Sequence, residues 1–279
     1  MRERYLGLEL SGAKNNKTAL SVLEYYPKEK KIFLLDIQDR ISTPKALESD
    51  FSHSVTGLGS DDYLLHLLRE TDEDLSILAV NVPLTLPPCF LTSRLEKQAV
   101  TWVHRFSKKI AKDRKIHPPE FTPYTQRPVE LWIRHQLMAP LAKNLQIEID
   151  EALGGNRAPL TARMHYLQRK LDPKKMIECW PKLTALRLCL QLGIDRRFLT
   201  RYRKLEEGAH ARQGFLEQLV HARGLFIYER DLRKLSASLT AFDSFLCAYN
   251  ALLFRLGDCE KPPKGFPLES GWVYFPREP

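Results

Sequence analysis

Residues 4–37 run RYLGLELSGAKNNKTALSVLEYYPKEKKIFLLDI, and three β-strands can be read in them. RYLGLEL (4–10) and TALSVLEYY (about 18–26) have the apolar and β-branched content of strands, and the Gly and Asn-Asn of the intervening SGAKNNK supply hairpin turn chemistry. KIFLLDI (31–37) follows as a third strand. Three short strands joined this tightly predict an antiparallel meander. Within the first, alternation puts Tyr5, Gly7, Glu9 and Ser11 on one face and Leu6, Leu8 and Leu10 on the other.

The pattern then changes. A short helix is expected near Asp61–Glu70, and LSILAVNVPL is a buried apolar run that reads as a central strand. From Ser93 onward Leu95, Ala99, Trp102, Val103, Phe106 and Ile110 recur at three and four, the stripe of a helix whose other faces carry lysines. Trp102 and Phe106 lie on that stripe and read as core rather than as base-stacking platforms. HPPEFTPYTQRP (117–128) is too rich in proline for regular structure, and VELWIRHQLMAPL and LTARMHYLQRKL after it look helical. KMIECW is a short strand before Pro181, and KLTALRLCLQL is a helix closed by Gly193. Phe242, Phe245, Leu246, Tyr249, Leu252, Leu253 and Leu256 mark a strongly buried helix, and GWVYF a last strand. The expected fold is α/β: a mixed sheet of a three-strand antiparallel meander plus parallel strands, flanked by helices. It forms one domain over 1–279 with a mainly helical insertion at about 93–172.

With 43% hydrophobic residues in 279, the chain can bury a substantial core. No apolar run approaches the roughly 18–20 residues of a membrane span, and the start enters a strand instead of a signal peptide, so a cytoplasmic protein is expected. Five cysteines without a CxxC pair indicate neither a disulfide framework nor a zinc knuckle, and the eight histidines form no HExxH. Any metal is therefore expected to be oxygen-ligated. The net charge of +9 and pI near 9.3 favour polyanionic partners. The charge concentrates between Ser93 and His117, where Arg94, Lys97, Arg105, Lys108, Lys109, Lys112, Arg114 and Lys115 face only Glu96 and Asp113.

Three hairpin strands followed by strands alternating with helices match an RNase H-like arrangement, in which acids meet from the first strand, a later strand and a late helix. Here those acids are Glu9, Glu178 and Asp243. Phosphodiester hydrolysis needs such convergence because two hard divalent cations, about 4 Å apart, clamp the attacking and the leaving oxygen. YLGLELSGAKNNKTALSVLEY, NVPLTLPPCFLTSR, ECWPKLTALRL and SLTAFDSFLCAYNALLFRLGD occur in an order that resembles the domain-of-unknown-function family 429 (DUF429). FTPYTQRPVELW, NRAPLTARMHYL and ESGWVYFP extend the similarity over nearly the whole chain. That resemblance implies a nuclease (a hydrolase) of RNase H-like fold.

The family carries an acid before a small-residue turn, a D-x-P after the central strand, an E-x-x-P before a helix and a D-x-x-x-A in a late helix. These positions fall on Glu9, Asn81, Glu178 with Pro181, and Asp243. The resemblance thus implies Mg²⁺ or Mn²⁺ held by Glu9, Asn81, Glu178 and Asp243, with Glu9, Glu178 and Asp243 catalytic. Nucleic acid, DNA or RNA, would be bound by Arg94, Lys108, Lys109, Lys112, Arg127 and Arg163. Glu9 stands where Asp is usual, and Asn81 replaces an acid; an amide offers a neutral oxygen without the charge that holds a second cation.

Each residue also has a structural reading. Asp243 could complete a capping box with Thr240, Glu9 could be an exposed strand residue, Glu178 could pair with an arginine, and the lysines could be a solvated helix face. Asn81 motivates an alternative function, a nucleic-acid-binding or regulatory protein that has lost catalysis. A nucleotide phosphotransferase is a third reading, from the faint likeness of SGAKNNKT to a phosphate turn, but that architecture needs a second such domain, and none is visible.

Overall fold

The meander comes first in the chain: β1 (Glu3–Glu9) pairs antiparallel with β2 (Ala19–Tyr26), and β2 with β3 (Lys31–Gln38). The computed structural model describes residues 2–12, 17–42, 59–70 and 75–278; the centre of the expected SGAKNNK turn, residues 13–16, lies outside them. β4 (Leu75–Val80) runs parallel to the other side of β1, and β5 (Met176–Cys179) parallel to β4. Two short strands, β6 (Leu225–Phe226) and β7 (Val273–Tyr274), complete a mixed sheet whose order among the described residues is β6-β3-β2-β1-β4-β5-β7. The fold is α/β, this sheet flanked by helices.

The helices are α1 (Gly59–Glu70), α2 (Ser93–Arg114), α3 (Pro128–Trp132), α4 (Arg157–Gln168), α5 (Pro181–Leu192), α6 (Arg196–Arg201), α7 (Gly208–Arg223), α8 (Glu229–Ala237) and α9 (Leu239–Leu256). The chain divides into two compact units. One comprises Met1–Asn81, Tyr166–Glu260 and Tyr274–Pro279 and holds nearly all of the sheet; the other comprises Val82–His165 and Lys261–Val273. VELWIRHQLMAPL, expected as one α-helix, is instead the five-residue α3 continued by a π-helical turn over Ile133–Met138, before Pro140 ends it. Gly193 does close α5, at φ 67°.

α9 is the central helix of the first unit. Every residue from Ala241 to Leu253 is buried, as expected for a helix that is apolar on all sides. It lies so close on β1 that a Cβ at Gly7 would stand 2.0 Å from the carbonyl oxygen of Ser244 and 2.1 Å from the amide nitrogen of Ala248. Only glycine permits this approach, which a 2.7 Å hydrogen bond between the buried Ser21 and Ser244 hydroxyls ties down. Among the described residues no single helix is long and apolar enough to cross a membrane.

Candidate functional site

Which side chains meet under α9 follows from strand register. Gly7 faces α9, and it pairs with Ala79 while Ala79 pairs with Ile177. Partners across parallel strands share a face, and faces alternate along each strand, so two residues further on Glu9, Asn81 and Cys179 also face α9. The Asn81 side-chain amide donates to Glu9 Oε2 at 2.6 Å. From α9 come Asp243 and Cys247, one turn apart. The Cys247 thiol is pushed well up by burial, then by Cys179, and further by the charges of Glu9 and Asp243.

The same register sends Leu8, Val80 and Glu178 to the opposite face of the sheet. Glu178 is buried there and accepts from Trp180 Nε1 at 3.1 Å. The expectation that Glu178 joins Glu9 and Asp243 is therefore corrected. The motif spacing put it at the right strand end, but the alternation of β5 gives the α9 face to its neighbour Cys179.

Asp243 is 1% exposed, and its Oδ2 accepts from Arg203 Nη1 at 2.6 Å. It does not cap α9: Ser238 holds that position, its Oγ accepting from the Ala241 amide, which leaves Asp243 in the second turn. Burial pushes the Asp243 carboxyl above the ordinary aspartate value, against the opposing charges of Arg203, Lys182 and Arg212. Its Oδ1 is buried with no hydrogen-bond partner among the described residues. Tyr202, also buried, has its phenol pushed up by burial and by Asp243. Sequence reasoning missed Cys179, Lys182, Tyr202 and Arg203. Counting alternation through β5 would have found Cys179, whereas nothing local to Arg203 points to Asp243 forty residues away.

Whether this group of side chains suits divalent cations is decided by its donors. Among the described residues no group of three or more His, Cys, Asp or Glu is arranged to hold a metal ion. The unpartnered Asp243 Oδ1, with Glu9 and the Asn81 amide, gives two carboxylates and a neutral oxygen, a set for at most one hard cation. A pair of cations lacks its charge, because Glu178 faces away and Arg203 already neutralises Asp243.

The second unit carries the basic face. At about 100° per residue, Arg94, Lys97, Arg105, Lys108, Lys109 and Lys112 all project within about 60° of the Arg94 direction, and Lys115 follows them as the left-handed C-cap residue. Ala99, Val103, Ser107 and Ile110 project the opposite way and are buried. All seven cations are exposed. None has an ion-pair partner among the described residues, in contrast to Arg197, Arg233 and Arg277, which sit on Asp195, Glu229 and Asp258. Trp102 and Phe106, expected in the core, are only half-buried at the flank of this stripe, stacked on each other with ring centroids 5.1 Å apart.

The other proposed phosphate ligands differ from these. Arg127 is fully buried, its Nε 2.8 Å from Glu130 Oε1 and its Nη1 3.1 Å from Thr85 Oγ1. It is a packing element of its unit, which corrects the expectation that it grips phosphate. Arg163 is half-buried on α4. Comparison with known proteins adds nothing to this geometry: no family model, no curated protein and no solved structure matches the chain.

Proposed function

We propose that this protein binds nucleic acid along α2, on an RNase H-like core of the kind its resemblance to DUF429 implies, without a two-metal nuclease centre. The row of exposed, unpaired cations on one face of α2 carries the reading. A solvated surface helix ordinarily intersperses both signs, whereas an uncompensated row about 27 Å long, from Arg94 to Lys112, spans about eight 3.4 Å steps of a B-form strand. Strand order β3-β2-β1-β4-β5, with the meander antiparallel and β4 and β5 parallel to β1, supports the RNase H-like assignment.

The test is binding of labelled single-stranded and duplex DNA and RNA between 50 and 200 mM salt, with Mg²⁺ or Mn²⁺ present. Binding that weakens steeply with salt while the strands stay intact is expected. Salt-independent binding, or none, refutes the reading.

One observation favours a second reading, a metal-dependent nuclease: the buried, unpartnered Oδ1 of Asp243. Glu9, Asn81 and Asp243 would hold a single Mg²⁺ or Mn²⁺, which when bound supplies Lewis-acid activation of water. The chain's own part would be to keep Asp243 buried and to hold it in place through Arg203. Cleavage that needs Mn²⁺ or Mg²⁺ and disappears in Asp243→Asn would establish this reading over the first.

A further inference from the structure

The flank of α2 where the cations meet Trp102 is not flat. Arg94, Lys97, Trp102 and Arg105 form one wall of an open groove of about 580 Å³ within the second unit, and Phe266 and Glu269 lie on the other. Phe266 is itself buried and meets the Trp102 ring at 4.9 Å with the two planes near perpendicular, while Phe106 stacks on it, so the indole is held in place, half-buried, as part of the groove lining. The chain's other tryptophans, Trp132, Trp180 and Trp272, are 5–7% exposed.

We infer that this groove is a subsite for single-stranded nucleic acid, in which an unpaired base packs against Trp102 while Arg94, Lys97 and Arg105 hold the flanking phosphates. The inference rests on the nucleic-acid reading above and adds the class of strand to it. Charge complementarity selects the occupant: three cations without ion-pair partners among the described residues line one wall around an aromatic surface, and the single acid of the lining, Glu269, stands on the facing wall. An aromatic surface bordered by cations is what unpaired bases on a phosphate backbone require, since every base has a π-face. A duplex keeps its bases stacked on one another and offers this surface nothing. Glu269 keeps phosphates on the α2 side and can accept from an N–H of the seated base, such as N3–H of thymine.

The experiment compares oligo-dT with an abasic strand of the same length and with poly-glutamate. Oligo-dT is expected to bind about tenfold or more tighter than the abasic strand and to quench tryptophan fluorescence, which the abasic strand does not. Trp102→Leu should lose both the preference and the quenching while keeping its affinity for the abasic strand. Should that variant fold poorly, the quenching difference in the unaltered protein still decides. Equal affinity for the two strands, or a preference that survives Trp102→Leu, overturns the subsite and leaves nucleic-acid binding standing. Poly-glutamate competing as well as oligo-dT overturns it in favour of an acidic peptide. Failure of every nucleic acid to bind removes the broader reading and the subsite together.

Discussion

Removing Lys108 and Lys112 as charges, by Lys108→Gln with Lys112→Gln, isolates the electrostatic role of α2. Both side chains are exposed on the stripe, away from the buried line of Ala99, Val103, Ser107 and Ile110, and glutamine has nearly the helix propensity of lysine. Stability should therefore change by less than about 0.5 kcal/mol. If all seven cations, the six of the row and Lys115 at its end, displace counterions from a single strand, the logarithmic salt slope is about −5. Affinity then falls about 900-fold between 50 and 200 mM salt. Without two of them the slope becomes about −3.5 and the fall about 130-fold. Fluorescence anisotropy of a labelled oligonucleotide across that salt range measures both. Lys28→Gln with Lys31→Gln, exposed lysines at the β2–β3 turn, removes the same net charge from the first unit and serves as control. An α2 variant whose slope equals that of the control would show that the bound strand does not follow α2, and the reasoning from its one-sided charge would fail.

Three further outcomes follow from the packing. Gly7→Ala forces α9 off β1 and should cost roughly 3 kcal/mol, the upper range for an overpacked core, seen as a lower urea midpoint; a loss under about 1 kcal/mol would mean the helix can shift. Arg127→Met leaves the fully buried Glu130 without its cation and should destabilise by about 3–5 kcal/mol, and adding Glu130→Leu should recover most of it; a double variant no better than the single would show that the pair is not the cause. Asp243 is held above its ordinary value of 3.8, so it binds more protons folded than unfolded. Its contribution to stability is full below about 3.8 and is lost as pH rises through the raised value. The Tm of the unaltered protein minus that of Asp243→Asn should fall as pH rises from about 4, and a pH-independent difference would contradict the burial argument.

The sequence determined most of the elements and their order, though not β6 or the π-helical turn after α3. Strict alternation in RYLGLEL, the three-and-four stripe after Ser93 and the proline-to-glycine frame of α5 are local signals set by backbone geometry, and they are legible without a structure. It also determined the charged face of α2, because one helix carries all of that pattern. The tertiary structure alone decided which candidate acids share a space. Glu178 and Cys179 are neighbours in the chain, yet the register of β5 against β4 puts only the cysteine under α9. Asp243 reads as a helix-capping acid until Arg203 is seen seated on it, and Arg127 reads as a phosphate ligand until its burial against Glu130 is seen. Convergence of side chains far apart in sequence depends on strand pairing and helix packing, so no stretch of local pattern contains it.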